Sequence, residues 1–264
     1  MRLQQDGAVK DADANRRSYQ LLQLINQRPA VAMPKAKTPT NPVEGHYSGL
    51  ARFGIGQRDQ RHFALLGYRA AYQDLLDADE GFPRGAQLQM GAFELRHYNR
   101  GTTTLEALEL VSIRSLSLRD RLFQPWSWQA KAGLERIYTD AKNSDNLVAQ
   151  ITAGGGVSYG FNQQRTTLFA MLNGRLEYNA HFNHPLAVGA GSSLGVRHDV
   201  GALQTLAEID SMQMSNGQLR RQFSLGGQYN LSLQQGLRAT FSHRRDPQGA
   251  QDNGLTLEYR RYLQ

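Results

Sequence analysis

The feature that most constrains this chain is an alternation of period two in LVAQITAGGGVSYGF, residues 147–161. Leu147, Ala149, Ile151, Ala153, Val157, Tyr159 and Phe161 share one parity. Val148, Gln150, Thr152, Gly154, Gly156, Ser158 and Gly160 share the other. A repeat of two defines a strand with one apolar face and one small or polar face. A soluble sandwich packs such an apolar face on a core. A membrane barrel turns it to lipid and lines its interior with the polar face.

The pattern recurs. Trp126, Trp128, Ala130, Ala132, Leu134 and Tyr138 alternate with Ser127, Gln129, Lys131, Gly133 and Glu135. His184, Leu186, Val188, Ala190, Leu194 and Val196 alternate with Ala187, Gly189, Gly191, Ser193, Gly195 and Arg197. Leu219, Phe223, Leu225 and Tyr229 alternate with Arg220, Gln222, Ser224, Gly226 and Gln228. About a dozen strands are predicted, near 46–57, 60–72, 85–98, 103–115, 126–138, 146–160, 164–178, 185–197, 201–213, 218–229, 235–244 and 253–263. At about ten to fourteen residues they exceed the usual soluble strand and suit a tilted bilayer crossing. Trp126, Tyr138, Tyr159, Phe161, Tyr178 and Tyr229 lie near strand ends on the apolar face, as an aromatic girdle does.

Composition is consistent with this and excludes other classes. No apolar run approaches the ~18 residues that a spanning helix needs. A mean hydropathy of −0.55 argues against helical membrane protein but not against a barrel, whose faces average out. The absence of cysteine removes disulfides and thiolate metal sites. The net charge of +7 is spread along the chain, and the aromatics sit on apolar faces, so nucleic acid is not an expected partner.

Residues 1–43 differ from the rest. RRSYQLLQLINQR, residues 16–28, suits a short helix, and PAVAMPKAKTPTNPVEG holds four of the chain's eight prolines, as an extended linker does. No apolar signal segment opens the chain. The expectation is a linker and exit helix from an upstream domain over 1–43, then a barrel domain over 44–264. Two strands break the alternation. Glu94 and Arg96 share a parity with Leu88 and Met90, and 103–115 mixes Leu with Glu on both faces. An Arg or Lys facing the bilayer midplane costs about 2–4 kcal/mol, so these charges are expected near an interface or under cover.

The chain ends DNGLTLEYRRYLQ, in which Asp252, Gly254, Leu257 and Tyr259 match polar-x-Gly-x-x-hydrophobic-x-aromatic. This resembles the C-terminal signal by which bacterial outer-membrane barrels are recognised for insertion, and it implies the barrel-assembly machinery as a partner. Two longer stretches, YRAAYQDLLDADEGFPRGAQLQM (68–90) and SIRSLSLRDRLFQPWSWQAKAGLER (112–136), are similar to the C-terminal region of a Gram-negative envelope family. That family carries an N-terminal papain-like periplasmic domain resembling that of a lacto-N-biosidase accessory protein. The resemblance spans residue 46 to the end. It departs at Leu118, where the family often has proline. It implies that the peptidase residues lie upstream of this chain.

With the N-terminus in the periplasm, 73–84 and 116–125 both fall on the periplasmic rim and form the longest connections, an inversion of the usual barrel order. The first offers Asp74, Asp77, Asp79, Glu80 and Arg84, and the second Arg119, Asp120 and Arg121. They are expected to clasp each other, to bind the upstream domain, or to serve as structural turns. DxxDxDE lacks calcium-loop spacing, so no metal or cofactor is expected. His181 and His184 are placed on an outer loop. Ser192 and His198 lie roughly 20 Å apart along one strand, too far for a catalytic pair. Lys131, Glu135, Arg197, Arg220, Arg238 and Glu258 are expected to narrow or plug the lumen.

The expectation is an all-β chain: an antiparallel transmembrane barrel of about 12 strands in the bacterial outer membrane, contacting its lipid and anchoring an upstream periplasmic domain. The alternatives are a narrow pore and a barrel enzyme acting on lipid or peptide.

Overall fold

The computed structural model describes residues 12–27, 40–99, 101–138, 145–180, 185–245 and 251–264. The chain divides into two units, 1–39 and 40–264. In the first, α1 (Ala12–Asn26) leaves Tyr19, Leu21, Leu22, Leu24 and Ile25 exposed. Among the described residues no helix is long and apolar enough to cross a membrane.

The second unit opens with a 3-10 turn, Pro42–Glu44, capped by the Asn41 side chain, and continues as twelve strands. They are β1 (Gly49–Arg58), β2 (Arg61–Gln73), β3 (Ala86–Tyr98) and β4 (Thr103–Ser115). Next come β5 (Ser127–Tyr138), β6 (Asp145–Phe161), β7 (Thr166–Tyr178) and β8 (Leu186–Val200). The last are β9 (Leu203–Met214), β10 (Leu219–Ser232), β11 (Gln235–Arg245) and β12 (Gln251–Leu263). Each pairs antiparallel with its neighbours in sequence. β12 returns to β1, from Gly49 opposite Leu263 to Arg58 opposite Gly254, and closes the barrel. The even count puts the lead-in to β1 and the end of β12 at one rim, the proximal rim.

Alternation decides which way the faces look. Ile151, Leu172, Leu194, Leu225 and Leu257 are exposed on the outer wall, while Gln150, Ser193, Gln228 and Arg260 are buried inside. An apolar band facing outward around a polar interior is the wall of a transmembrane barrel. A soluble barrel would have buried that band.

Of the two placements expected for the charges of the irregular strands, cover is the one found. Glu94 and Arg96 point into the lumen, where Arg96 bonds Glu94 and Arg52 reaches the same carboxylate. The cause is a row of extra residues. The ladder pairs Arg69 with Ala92 and Ala71 with Met90, leaving Ala70 and Gly91 between them. The same row continues to Leu110, where the β4–β5 register shifts. Gly91 adopts φ +61°, which costs a glycine little and lets β3 swap its faces there. A second shift beside Glu94 turns Glu106 inward. Period-two reading fails at such bulges, because one extra residue reverses every face beyond it.

Candidate functional site

The two longest proximal connections meet different fates. Residues 74–85 fold into the barrel and form a plug. The backbone turns on Asp74, whose Oδ1 accepts from Leu76 N–H at 2.8 Å, so Leu75, Leu76, Asp77 and Ala78 enter the lumen buried. Leu75 joins Leu116, Phe169 and Met171 in an apolar cluster, with Leu206 packed against it. Leu76 lies over Gly226 of β10, where a side chain's Cβ would stand 2.9 Å from its Cδ1.

The carboxylates of the plug are taken by arginines of the wall. Arg238 donates to both Asp74 oxygens at 2.7 and 2.8 Å. Asp77, almost fully buried, accepts from Arg69 at 2.8 Å, from the Tyr262 hydroxyl at 2.6 Å and from Arg260 at 3.2 Å. Farther along, Arg197 of β8 donates to both Asp79 oxygens at 2.7 and 2.8 Å, and Arg84 pairs with Asp199. The plug therefore spans the lumen from β2 to β8 and β12.

Burial raises the Asp74 carboxyl, but Arg238, Arg260 and Arg69 outweigh it and hold the group well below the usual carboxylate range. Asp77 is also lowered: burial and Asp74 push it up, and Arg69, Arg260 and Arg238 overcome them. Asp79 goes the other way, because its burial outweighs Arg197 and Arg84.

Leu116 turns into the lumen cluster, and residues 117–126 stay at the rim. Leu118 bridges Ser158 of β6, and Arg119 N–H donates to Ser158 O at 2.9 Å. Asp120 caps its own turn, accepting from Leu122 and Phe123 N–H at 2.7 and 2.6 Å, and these bonds lower its carboxyl. Arg119 bonds Gln124 and lies over the Trp126 ring. Arg121 points to solvent, as do Leu122, Phe123 and Trp126. Among the described residues no ion pair joins the two loops, so of the three expected roles a charge clasp is not seen, while Asp74 and Asp120 each organise a turn. The wall arginines reach the acids of 74–84 first, and the basic residues of 116–126 stay outside.

The lead-in to β1 is fastened to the plug. His46 is buried between the Phe82 ring, 4.3 Å away, and the Tyr262 ring, 4.5 Å away. Gln234 of the β10–β11 turn accepts from Tyr47 N–H at 2.9 Å and donates to Gly45 O at 3.3 Å. The chain thus enters the barrel through contacts with both the plug and the last strand.

Above the plug the lumen is crossed by ion pairs. Lys131 pairs with Glu109 and Glu135, Arg220 with Glu177, Arg114 with Glu208, and Arg58 with Glu106 and Asp252. Glu258 pairs with Arg52 and Arg260. Cavities of about 280, 220 and 170 Å³ lie between these bridges. Phe63, Leu65 and Tyr98 form an inward apolar cluster near the distal rim. Among the described residues no group of three or more His, Asp or Glu is arranged to hold a metal ion.

In the terminal motif, Asp252 and Gly254 face the lumen, and Leu257 and Tyr259 face out. Asp252 accepts from Arg58 Nε at 3.0 Å across the β1–β12 seam. Of the aromatic set, Trp126, Tyr159, Phe161 and Tyr229 are exposed toward the proximal rim and Tyr178 toward the distal rim. The side chain of Tyr138, and both His181 and His184, lie outside the described residues. His198 bonds Thr166 at 2.8 Å. Missing from the sequence-derived set were Arg69, Arg260, Tyr262 and Leu75. Apolar residues on the polar parity, Phe169 and Met171 above all, were the available sign of a filled lumen.

Fold and site together define a plugged, outer-membrane type of β-barrel. The chain belongs to the family described as a domain of unknown function, DUF7840, which matches residues 39–262. No curated protein matches it. Among solved structures it is similar to an outer-membrane channel from Pseudomonas putida F1, at 12% identity over 88% of this chain and 100% of that one, with TM-score 0.49. An anion-selective porin from Comamonas acidovorans aligns at 12% identity over 83% and 100% of the two chains, with TM-score 0.40. The β domain of the Bordetella autotransporter BrkA gives the same identity and coverage and a TM-score of 0.41.

Proposed function

We propose that this domain is a closed barrel in the outer membrane that anchors an upstream periplasmic domain, of papain-like type, and holds it against the proximal rim. The observation that carries this reading is the plug. A conducting pore keeps a wet lumen, whereas here Leu75, Leu116, Phe169 and Met171 pack into a buried apolar cluster inside it. The fastened lead-in supports the anchoring role: Gly45–Tyr47 are gripped by Phe82, Gln234 and Tyr262, so a domain upstream is held on a fixed stem. The exposed Leu122, Phe123 and Arg121 offer that domain an apolar and basic edge to rest on.

The test is conductance. Expressed behind a signal peptide, the chain is expected to fractionate with the outer membrane, shift on unheated gels and stay silent in planar bilayers. Steady ohmic steps from the unaltered protein would replace the anchor with a narrow pore, for which the mixed-charge cavity of about 280 Å³ above the plug is the natural path.

A further inference from the structure

The outer wall carries one feature that neither anchoring nor plugging uses. Arg221 of β10 and Arg245 of β11 stand directly opposite each other in the ladder, close to the distal rim. Their neighbours Arg220, Gln222 and Arg244 take the inward parity, so both turn outward, and both are exposed. Like charges facing each other across a strand pair are destabilising. Neither side chain has a hydrogen bond or ion pair among the described residues. The nearby Asp59 carboxylate is engaged by Asn253 N–H at 3.0 Å.

The surroundings form tiers. Ser211, Arg221, Arg245 and Gln251 make one row across β9–β12 with no carboxylate in it. The row beneath holds Ile209, Phe223, His243 and Asn253, and the next Ala207, Leu225, Phe241 and Leu255. Phe223 and Phe241 bring their rings within 6.3 Å. Basic, then aromatic, then aliphatic is the order of a lipid's headgroup, interface and acyl chain.

We propose that Arg221 and Arg245 bind the phosphate of an anionic lipid headgroup in the outer leaflet. This rests on the reading of the barrel as an outer-membrane protein with its proximal rim in the periplasm. Two guanidinium forks present paired donors matched to phosphate oxygens, and the bound anion removes their mutual repulsion. The Phe223–Phe241 pair seats the same lipid's upper acyl chain, which makes a lipid a better occupant than a free ion.

The chain is first inserted into phosphatidylcholine vesicles and checked for heat-modifiable mobility; failure to insert would remove the membrane reading and this site with it. Native mass spectrometry of the inserted protein then compares phosphatidic acid with phosphatidylcholine. Retention of phosphatidic acid is expected, with its occupancy falling at least about tenfold in R221E/R245E. R121E, at the opposite rim, is expected to retain it. R221Q/R245Q, which removes charge without reversing it, guards against a folding defect. Equal retention in the folded double variants would overturn the site. Displacement of the lipid by equimolar inorganic phosphate would overturn the lipid assignment in favour of a plain anion site.

Discussion

Two loops of nearly equal length leave the same rim and end in opposite surroundings. Residues 74–85 turn inward and bury Leu75, Leu76 and Asp77, while 117–126, beyond the buried Leu116, stay out and expose Leu122, Phe123 and Trp126. Both hold an aspartate that organises its own turn, Asp74 and Asp120, so local chemistry does not separate them. The wall does. Arg69, Arg197, Arg238 and Arg260 all point into the lumen where the first loop can reach them, and Gly226 leaves space for Leu76. A loop becomes a plug when the barrel supplies its counter-charges.

The hardest challenge to that contrast is to remove the plug. Replacing residues 75–82 with a short turn should convert a silent barrel into one with steady conductance. The equivalent shortening of 119–125 should leave it silent, and silence from both would mean that the lumen is blocked elsewhere. Next in size is D77N. It leaves Arg69, Arg238 and Arg260 facing a weaker partner in a buried site, at a cost of about 3–5 kcal/mol. The urea midpoint of the heat-modifiable band measures it, and D120N is expected to shift that midpoint little.

Acid sharpens the comparison further. Because Asp74 and Asp77 titrate below their unfolded values, their contribution is complete above about pH 3.9 and is lost only as pH falls through the lowered folded values. Asp79, raised by burial, works in the opposite sense and favours the plug on its protonated side. Current through the barrel should therefore stay absent at mildly acid pH and appear only well below the ordinary carboxylate range. Opening near neutrality would contradict the assigned ion pairs. The smallest effect on the barrel is expected at the outer loop, where L122S/F123S should change stability by no more than about 0.5 kcal/mol. On the proposed reading, in which an upstream domain rests on that edge, the same change should loosen that domain's protection from protease when the two are expressed together in one chain.

Much of this barrel was legible in the sequence. Ile151 faces out and Gln150 faces in, as their parity requires, and the strand positions follow the expected order around a closed sheet. The faces of β3 and β4 were not legible, because the extra residues Gly91 and Leu110 look ordinary in a linear reading. The acids of 74–84 were recognisable as a group, but their partners come from strands far along the chain. A list of charges does not say which of thirty Lys and Arg residues the closed barrel brings to Asp77.

That separation also carries a consequence for biogenesis. Asp77 must wait for Arg238, Arg260 and Tyr262, which follow it by 161, 183 and 185 residues. Until β12 is laid against β1, the acids that emerge early have no complete set of counter-charges, so the plug cannot lock in a half-built sheet. Locking of the loop thus reports seam closure, and a chain truncated before β12 should leave its lead-in loose and its rim open to protease.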